Sequence, residues 1–213
     1  MTNRQETPLR SVLGVTGSIA TGKSTVADML VDCGAPMIDF DLLAREVVEP
    51  DQPAWNDIVH AFGKQVLNAD RSLNRAALSR IVFQDESKRK QLESFTHPRI
   101  QELFQLKRER LIKDDPDLII QAVVPLLFEV KMQHLFRKVL LVYAPPEVQK
   151  ARLMSREKID AEEASRRIRS QIPIDEKVPI SDYVVYNDRS PEETQRQVEA
   201  LWPKIRSDFV KSG

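Results

Sequence analysis

VLGVTGSIATGKST, residues 12–25, decides the reading of this chain. It holds a complete G-x-x-x-x-G-K-S run from Gly17 to Ser24, set directly after the apolar run Val12–Val15. Glycines at these offsets allow positive φ and close backbone approach, so successive N–H groups turn inward and form a nest for an anion. A helix predicted from Lys23 adds its unpaired N–H groups and the positive end of its dipole at the same point. Gly17, Ser18, Ile19, Ala20, Thr21, Gly22, Lys23, Ser24 and Thr25 therefore read as a P-loop for a nucleotide's phosphates. Lys23 reaches the β- and γ-phosphates, and the Ser24 hydroxyl is placed to bind Mg²⁺. A fortuitous glycine turn is the competing account, but these residue types at these offsets arise in only about one chain in a hundred of this length. The flank agrees with the motif, since Val26, Met29, Leu30 and Cys33 recur at helical spacing until Gly34 closes the helix.

At 213 residues the chain suits one domain with insertions. Lys plus Arg and Asp plus Glu both number 32, so no global field attracts nucleic acid or an anionic membrane. Any anion must be drawn by local groups. The single cysteine, Cys33, excludes an internal disulfide and reads as a buried structural thiol in the apolar stripe of the first helix. The polar opening MTNRQETPLR lacks the apolar segment of a signal peptide, and no run approaches the ~20 apolar residues of a membrane span. Together these features predict a soluble, cytoplasmic protein.

APMIDF (35–40) predicts a short buried strand that delivers Asp39 and Asp41 at its carboxyl end, the edge where open parallel sheets bind ligands. Asp41 also precedes the helical LLAREVV, so it can equally serve as an N-cap. From Leu42 to about Pro116 the pattern is helical and too long for a crossover, which predicts an inserted helical region. Trp55, Ile58, Val59 and Phe62 form one stripe there, and Ala77, Ile81 and Val82 part of another. His97-Pro98 predicts the start of a further helix, with Pro98 at its first position and His97 as a cap or packing residue. LIIQAVV (118–124), VLLVY (139–143) and SDYVVY (181–186) read as three more strands. With helices between them, five strands predict a three-layer α/β/α fold around a parallel sheet.

KARLMSREKIDAEEASRRIRSQIP (150–173) is dense in arginine. Arg152 and Arg156 share a helix face, as do Arg167 and Gln171. These groups can pair with Glu157, Glu162 and Glu163 as exposed ion pairs of small value. Alternatively they form a mobile lid, whose forked guanidinium donors cover a triphosphate.

No N-K-x-D guanine motif is present, which favours adenine, and the third strand runs into Val-Pro-Leu-Leu with Glu129 several residues on, unlike the acidic ending of motor ATPases. The short chain, the D-x-D and the arginine-rich segment fit small-molecule P-loop kinases. In order along the chain, GSIATGKST (17–25), IDFD (38–41), AREVV (44–48), HPRI (97–100), VVPLLFE (123–129), RLMSRE (152–157), RIRSQ (167–171) and SDYVVYN (181–187) are quoted from positions that together resemble the dephospho-CoA kinase family. The resemblance runs from about residue 12 to residue 205.

It implies a P-loop kinase fold with a five-stranded parallel sheet, a helical substrate-binding insertion and a helical lid. After a polar tail at 1–10, one domain over 11–208 would comprise a nucleotide core (11–40, 117–149 and 180–208), a helical CoA-binding region (41–116) and a lid (150–176). It implies ATP-dependent phosphorylation of the ribose 3′-hydroxyl of dephospho-CoA, with ATP and Mg²⁺ required and no nucleic-acid or membrane partner; oligomeric state stays open. Asp41 would be the general base, Asp39 would orient the site, and Lys23 and Arg156 would offset charge on the transferred group. His97, Arg152 and Arg167 would join Asp39 in holding substrate. The family's usual glycines are Ser18 and Ala20 here, its lid Arg-Asp pair is Arg156-Glu157, and its Asn-Asn or Asn-Gly after the last strand is Asn187-Asp188. A nucleoside or nucleotide monophosphate kinase, and a non-catalytic ATP-binding switch, are the competing expectations.

Overall fold

Val12, Leu13 and Val15 are fully buried, which a strand achieves only when both faces of its sheet are covered. They belong to β1 (Leu9–Thr16), the middle strand of a five-stranded sheet in the computed structural model, which describes residues 9–113 and 115–210. Most of the polar tail expected at 1–10 lies outside the described residues. The other strands are β2 (Met37–Asp39), β3 (Ile120–Val123), β4 (Phe136–Tyr143) and β5 (Tyr183–Tyr186), in the spatial order β2-β3-β1-β4-β5. β1 pairs in parallel with β3 (Gly14 beside Ala122) and with β4 (Gly14 beside Val139), and β4 pairs in parallel with β5. The chain leaves β1 toward one side of the sheet, returns through β3, then crosses to β4 and β5. The carboxyl end of β1 is therefore the switch point at which doubly wound sheets open a ligand crevice. All five expected strands are present; β1 and β4 are longer than the apolar runs suggested, because paired backbone continues past them.

Helices α1 (Lys23–Asp32) and α9 (Pro191–Val210) pack together on the sheet, and their Val26, Leu30, Val198 and Ile205 meet Leu13, Val15, Leu140, Val142 and Val185. Each such side chain contributes about 1.5–3 kcal/mol on burial. Helices α6 (Pro146–Glu157), α7 (Ala161–Arg169) and α8 (Ile174–Lys177) precede β5. Gln121 is a polar residue within fully buried β3; its Nε2 donates to Ala27 O (2.7 Å) and Ala35 O (2.9 Å), tying α1 and the turn after it to the sheet. At the outer strand, Gln197 of α9 accepts from Tyr186 N (3.0 Å) and donates to Tyr186 O (2.8 Å). Cys33, the C-cap of α1, is half-buried, and its thiol is pushed up by burial, then by Glu199 and Asp32.

Residues 39–110 make a second compact unit, apart from the unit formed by the chain before and after them. It contains α2 (Phe40–Glu46), α3 (Pro53–Phe62), α4 (Arg75–Gln84) and most of α5 (Glu86–Ile112). Val47, Ala54, Ile58, Phe62, Val66 and Leu78 form its core, with Ile81, Ile100 and Leu103 against it. Trp55 donates from Nε1 to Arg71 O (2.8 Å), and the Arg71 guanidinium lies 5.1 Å over its ring. One expectation is overturned. His97-Pro98 does not start a helix but lies in the interior of α5. Proline supplies no N–H to the preceding turn, and here Arg99 Nη1 donates to Phe95 O (2.6 Å) beside it, while Arg99 Nη2 reaches Asp57 (2.6 Å). Apolar Phe95, Ile100 and Leu103 on both sides of the proline enter the same core, so packing carries the helix through.

Among the described residues no helix is long and apolar enough to cross a membrane. Gln121→Leu is expected to destabilise the chain by about 2 kcal/mol, despite the gain in apolarity, because two carbonyls lose their shared donor. Urea denaturation measures it, and a stabilised variant would contradict the account.

Candidate active site

The site begins where β1 ends. Thr16 Oγ1 donates to Val124 O (2.9 Å), and the chain then turns away at Gly17. A Cβ on Gly17 would lie 2.5 Å from Thr21 Oγ1 and 2.8 Å from Val142 O, so no side chain fits. Ser18 O accepts from Thr21 N (3.3 Å) and Thr21 Oγ1 (3.0 Å), which closes the first half of the loop. Ala20 then takes φ +59°, in the left-handed region, at a cost of about 1–2 kcal/mol for a residue with a Cβ. Gly22 follows at φ +85°, and a Cβ there would run into Asn187 Nδ2.

α1 starts at Lys23, with no side-chain cap on its amino end and no acidic residue in its first turn. A helix start of this kind, with the positive end of its dipole toward the loop, suits an anion. Ser24 and Thr25 are exposed in this first turn, and Ser24 carries the hydroxyl expected to meet a metal ion.

Three residues outside the G-x-x-x-x-G-K-S run support this loop. Asn187 donates from Nδ2 to Thr21 O (2.8 Å), accepts at Oδ1 from Thr194 (3.0 Å), and is fixed through its own N–H to Tyr143 O (2.8 Å). Lys177 is 1% exposed and donates to Ser18 Oγ (2.9 Å) and Glu129 Oε1 (2.6 Å). Glu129 stood in the VVPLLFE run, but nothing in that run pointed to a lysine 48 residues away. Only the asparagine ending a strand offered a usable signal.

The arginines divide. Arg152 of α6 donates from Nη1 to Thr21 O (3.4 Å) and is brought to the loop. Arg156 pairs with Glu157 (2.7 Å), while Arg167 pairs with both Glu157 and Glu163, so Glu157 is shared by arginines of α6 and α7. The Arg156 hydrogen bond, reinforced by the Arg167 and Arg156 charges, holds the exposed Glu157 carboxyl below its usual range.

Asp39, Asp41 and His97 belong to the second unit. Asp39, not Asp41, is the N-cap of α2: its Oδ1 accepts from Asp41 N (2.7 Å) and Leu42 N (3.4 Å). The capping role expected of Asp41 falls two residues earlier because β2 ends at Asp39 and the helix starts at once. That leaves the Asp41 carboxylate exposed, in the first turn of α2. His97 is exposed on α5.

A sequence profile of the dephospho-CoA kinase family matches residues 11–193. The chain belongs to the dephospho-CoA kinase family. A Listeria monocytogenes protein named dephospho-CoA kinase is 45% identical over 186 residues, covering 87% of this chain and 92% of its own length. One from Oceanobacillus iheyensis is 42% identical over 193 residues, covering 91% and 96%. Among solved structures, TT1252 from Thermus thermophilus superposes with a TM-score of 0.77 at 33% identity, covering 93% of this chain and 98% of that one. A dephospho-CoA kinase from Campylobacter jejuni does so at 0.67 and 29% identity, covering 92% and 98%. The family resemblance and the α/β fold expected from the motifs are thereby borne out.

Two outcomes follow from the local geometry. Gly17→Ala is expected to destabilise the fold by about 1–3 kcal/mol, read as a lower urea midpoint. Tyr143 OH donates to Asp175 Oδ1 (2.8 Å), and that bond first, with burial and the Asp175 charge, pushes the phenol from 10.0 up to about 12. The resulting stabilisation is complete below pH 10 and disappears as pH rises through about 12. Asp175→Asn is expected to return the Tyr143 titration toward an ordinary phenol in an absorbance pH titration.

Proposed function

We propose that this protein transfers the γ-phosphoryl group of ATP to the ribose 3′-hydroxyl of dephospho-CoA, giving coenzyme A and ADP in the last step of CoA synthesis. One observation carries the reading: in a chain of this family, the G-x-x-x-x-G-K-S loop sits at the carboxyl end of β1 and leads into an uncapped α1. The hydroxyl oxygen attacks Pγ, the bond from Pγ to the β–γ bridging oxygen breaks, and ADP leaves with that electron pair. The hydroxyl proton passes to Asp41.

In this reading Gly17–Thr25 hold the phosphates and Lys23 spans the β- and γ-groups. Ser24 suits a Mg²⁺ ion, since it is an exposed hydroxyl residue directly after Lys23 in the first turn of α1; the ion, when bound, would neutralise charge on the phosphate oxygens. Asp41 suits the base because Asp39 has taken the capping duty and orients the turn. A carboxylate is a weak base, which suffices where a loose transition state depends on positioning and charge more than on early deprotonation.

Residues 150–176 act as the lid and residues 41–116 as the CoA-binding region. Arg156 moves from Glu157 to the transferring group, while Arg152, Arg167 and His97 hold substrate. Exchange of partner is inexpensive, because exposed ion pairs hold only about 0–1 kcal/mol. A cytoplasmic setting accords with this substrate.

A coupled assay for ADP release, with and without dephospho-CoA, is expected to show acceptor-dependent turnover far above that with AMP, CMP or nucleosides. Preference for a mononucleotide would overturn the assignment. Asp41→Asn is expected to lower kcat by about 10²–10⁴ with ATP affinity retained. Arg156→Ala is expected to lower kcat by about 10³.

A further inference from the structure

Two residues of the loop's entry, Ser18 and Ile19, are held by one short segment, Gln171–Lys177, which follows α7. Gln171 Oε1 accepts from Ile19 N (2.9 Å). Lys177 Nζ donates to Ser18 Oγ (2.9 Å) and to Glu129 Oε1 (2.6 Å), and that same Oε1 accepts from Ile172 N (3.2 Å). Asp175 takes the Tyr143 hydroxyl (2.8 Å), which fastens the segment to the end of β4.

The peptide between Ser18 and Ile19 is consequently gripped at both ends. Its carbonyl receives two bonds from Thr21, and its N–H is held by Gln171. Neither group is free to rotate, and the Ser18 side chain just before it is also fixed. A left-handed alanine such as Ala20 persists only where its surroundings over-determine the backbone, and these contacts lie immediately before it.

Packing alone does not explain Lys177. Lysine is almost never fully buried unless paired, and a buried ion pair is often no more stabilising than apolar residues of the same volume. An apolar side chain, however, cannot hold the Ser18 hydroxyl. Glu129 in turn has its second oxygen, Oε2, buried with no hydrogen-bond partner among the described residues, so its charge depends on Lys177.

We propose that Gln171–Lys177, the end at which the lid region is tied to the core, is a fixed post that presets the phosphate loop for ATP, with Lys177 and Gln171 as positioning residues acting through Ser18 and Ile19. Preorganisation of this kind improves affinity because the loop need not be ordered when the nucleotide arrives. The post also anchors the carboxyl end of α7, the helix that carries Arg167.

The inference rests on the ATP reading above, so ATP affinity is titrated calorimetrically without acceptor, alongside Tm, kcat and the KM for dephospho-CoA. Lys177→Met is expected to lower Tm, because the Glu129 charge is stranded, and to weaken ATP binding about fivefold to tenfold. Glu129→Gln with Lys177→Met removes the stranded charge and restores most of the Tm, yet leaves ATP weak, because nothing holds Ser18. Gln171→Ala, which strands no charge, is expected to weaken ATP about fivefold with little change in Tm. In all three the KM for dephospho-CoA stays within about twofold. If Lys177→Met does not fold, the double variant and Gln171→Ala decide.

A double variant that regains Tm and wild-type ATP affinity together, or a Gln171→Ala chain that binds ATP normally, would overturn the post. A wild-type chain that binds ATP and leaves dephospho-CoA unphosphorylated overturns the activity instead. One that binds no ATP overturns both.

Discussion

Everything at the candidate site depends on a helix that starts without a cap. The first N–H groups of any helix have no partner in the preceding turn, and most chains satisfy them with a serine, threonine or aspartate side chain. α1 does not; Gly22 precedes it in a left-handed conformation and offers no side chain at all. A start without a side-chain cap suits a ligand that carries the opposite charge. The glycines before it then follow from space: at Gly17 the carbonyl of Val142 and the hydroxyl of Thr21 occupy the volume a Cβ would need.

That constraint distributes demands over the neighbouring elements. β1 must be central, so that the loop opens at the switch point. β4 and β5 must end where Tyr143 O can take the Asn187 N–H, so that Asn187 reaches Thr21. α2 shows the contrary solution to the same problem. Its amino end is capped by Asp39, and Asp41 in the same first turn is exposed. Two helix starts thus follow opposite rules, and each suits the chemistry proposed for it.

What is legible in the sequence is local in origin. The P-loop, the five strands and the α3 stripe are written within windows of a dozen residues, and periodicity or fixed offsets reveal them. The expectation for His97-Pro98 failed because a proline's preference for the first helical turn competed with a core that Phe95, Ile100 and Leu103 all enter, and the core prevailed. Asp41 looks like a cap because the apolar pattern of 35–40 runs one residue past the end of β2. The partners of Lys177 and Asn187 are illegible for another reason. Ser18 and Thr21 lie 159 and 166 positions away, and no local pattern encodes such a pairing.

The amide of Gln197 lies against the outermost strand as a substitute for a sixth one. An open sheet margin offers its bare peptide groups to any extended segment that drifts past, including the same margin of another copy. At Tyr186 the donor and the acceptor are already engaged by one side chain of the chain's own last helix. Ribbon-to-ribbon growth is therefore obstructed at that point, and self-association through this rim would first have to dislodge a neighbour covalently tied eleven residues downstream.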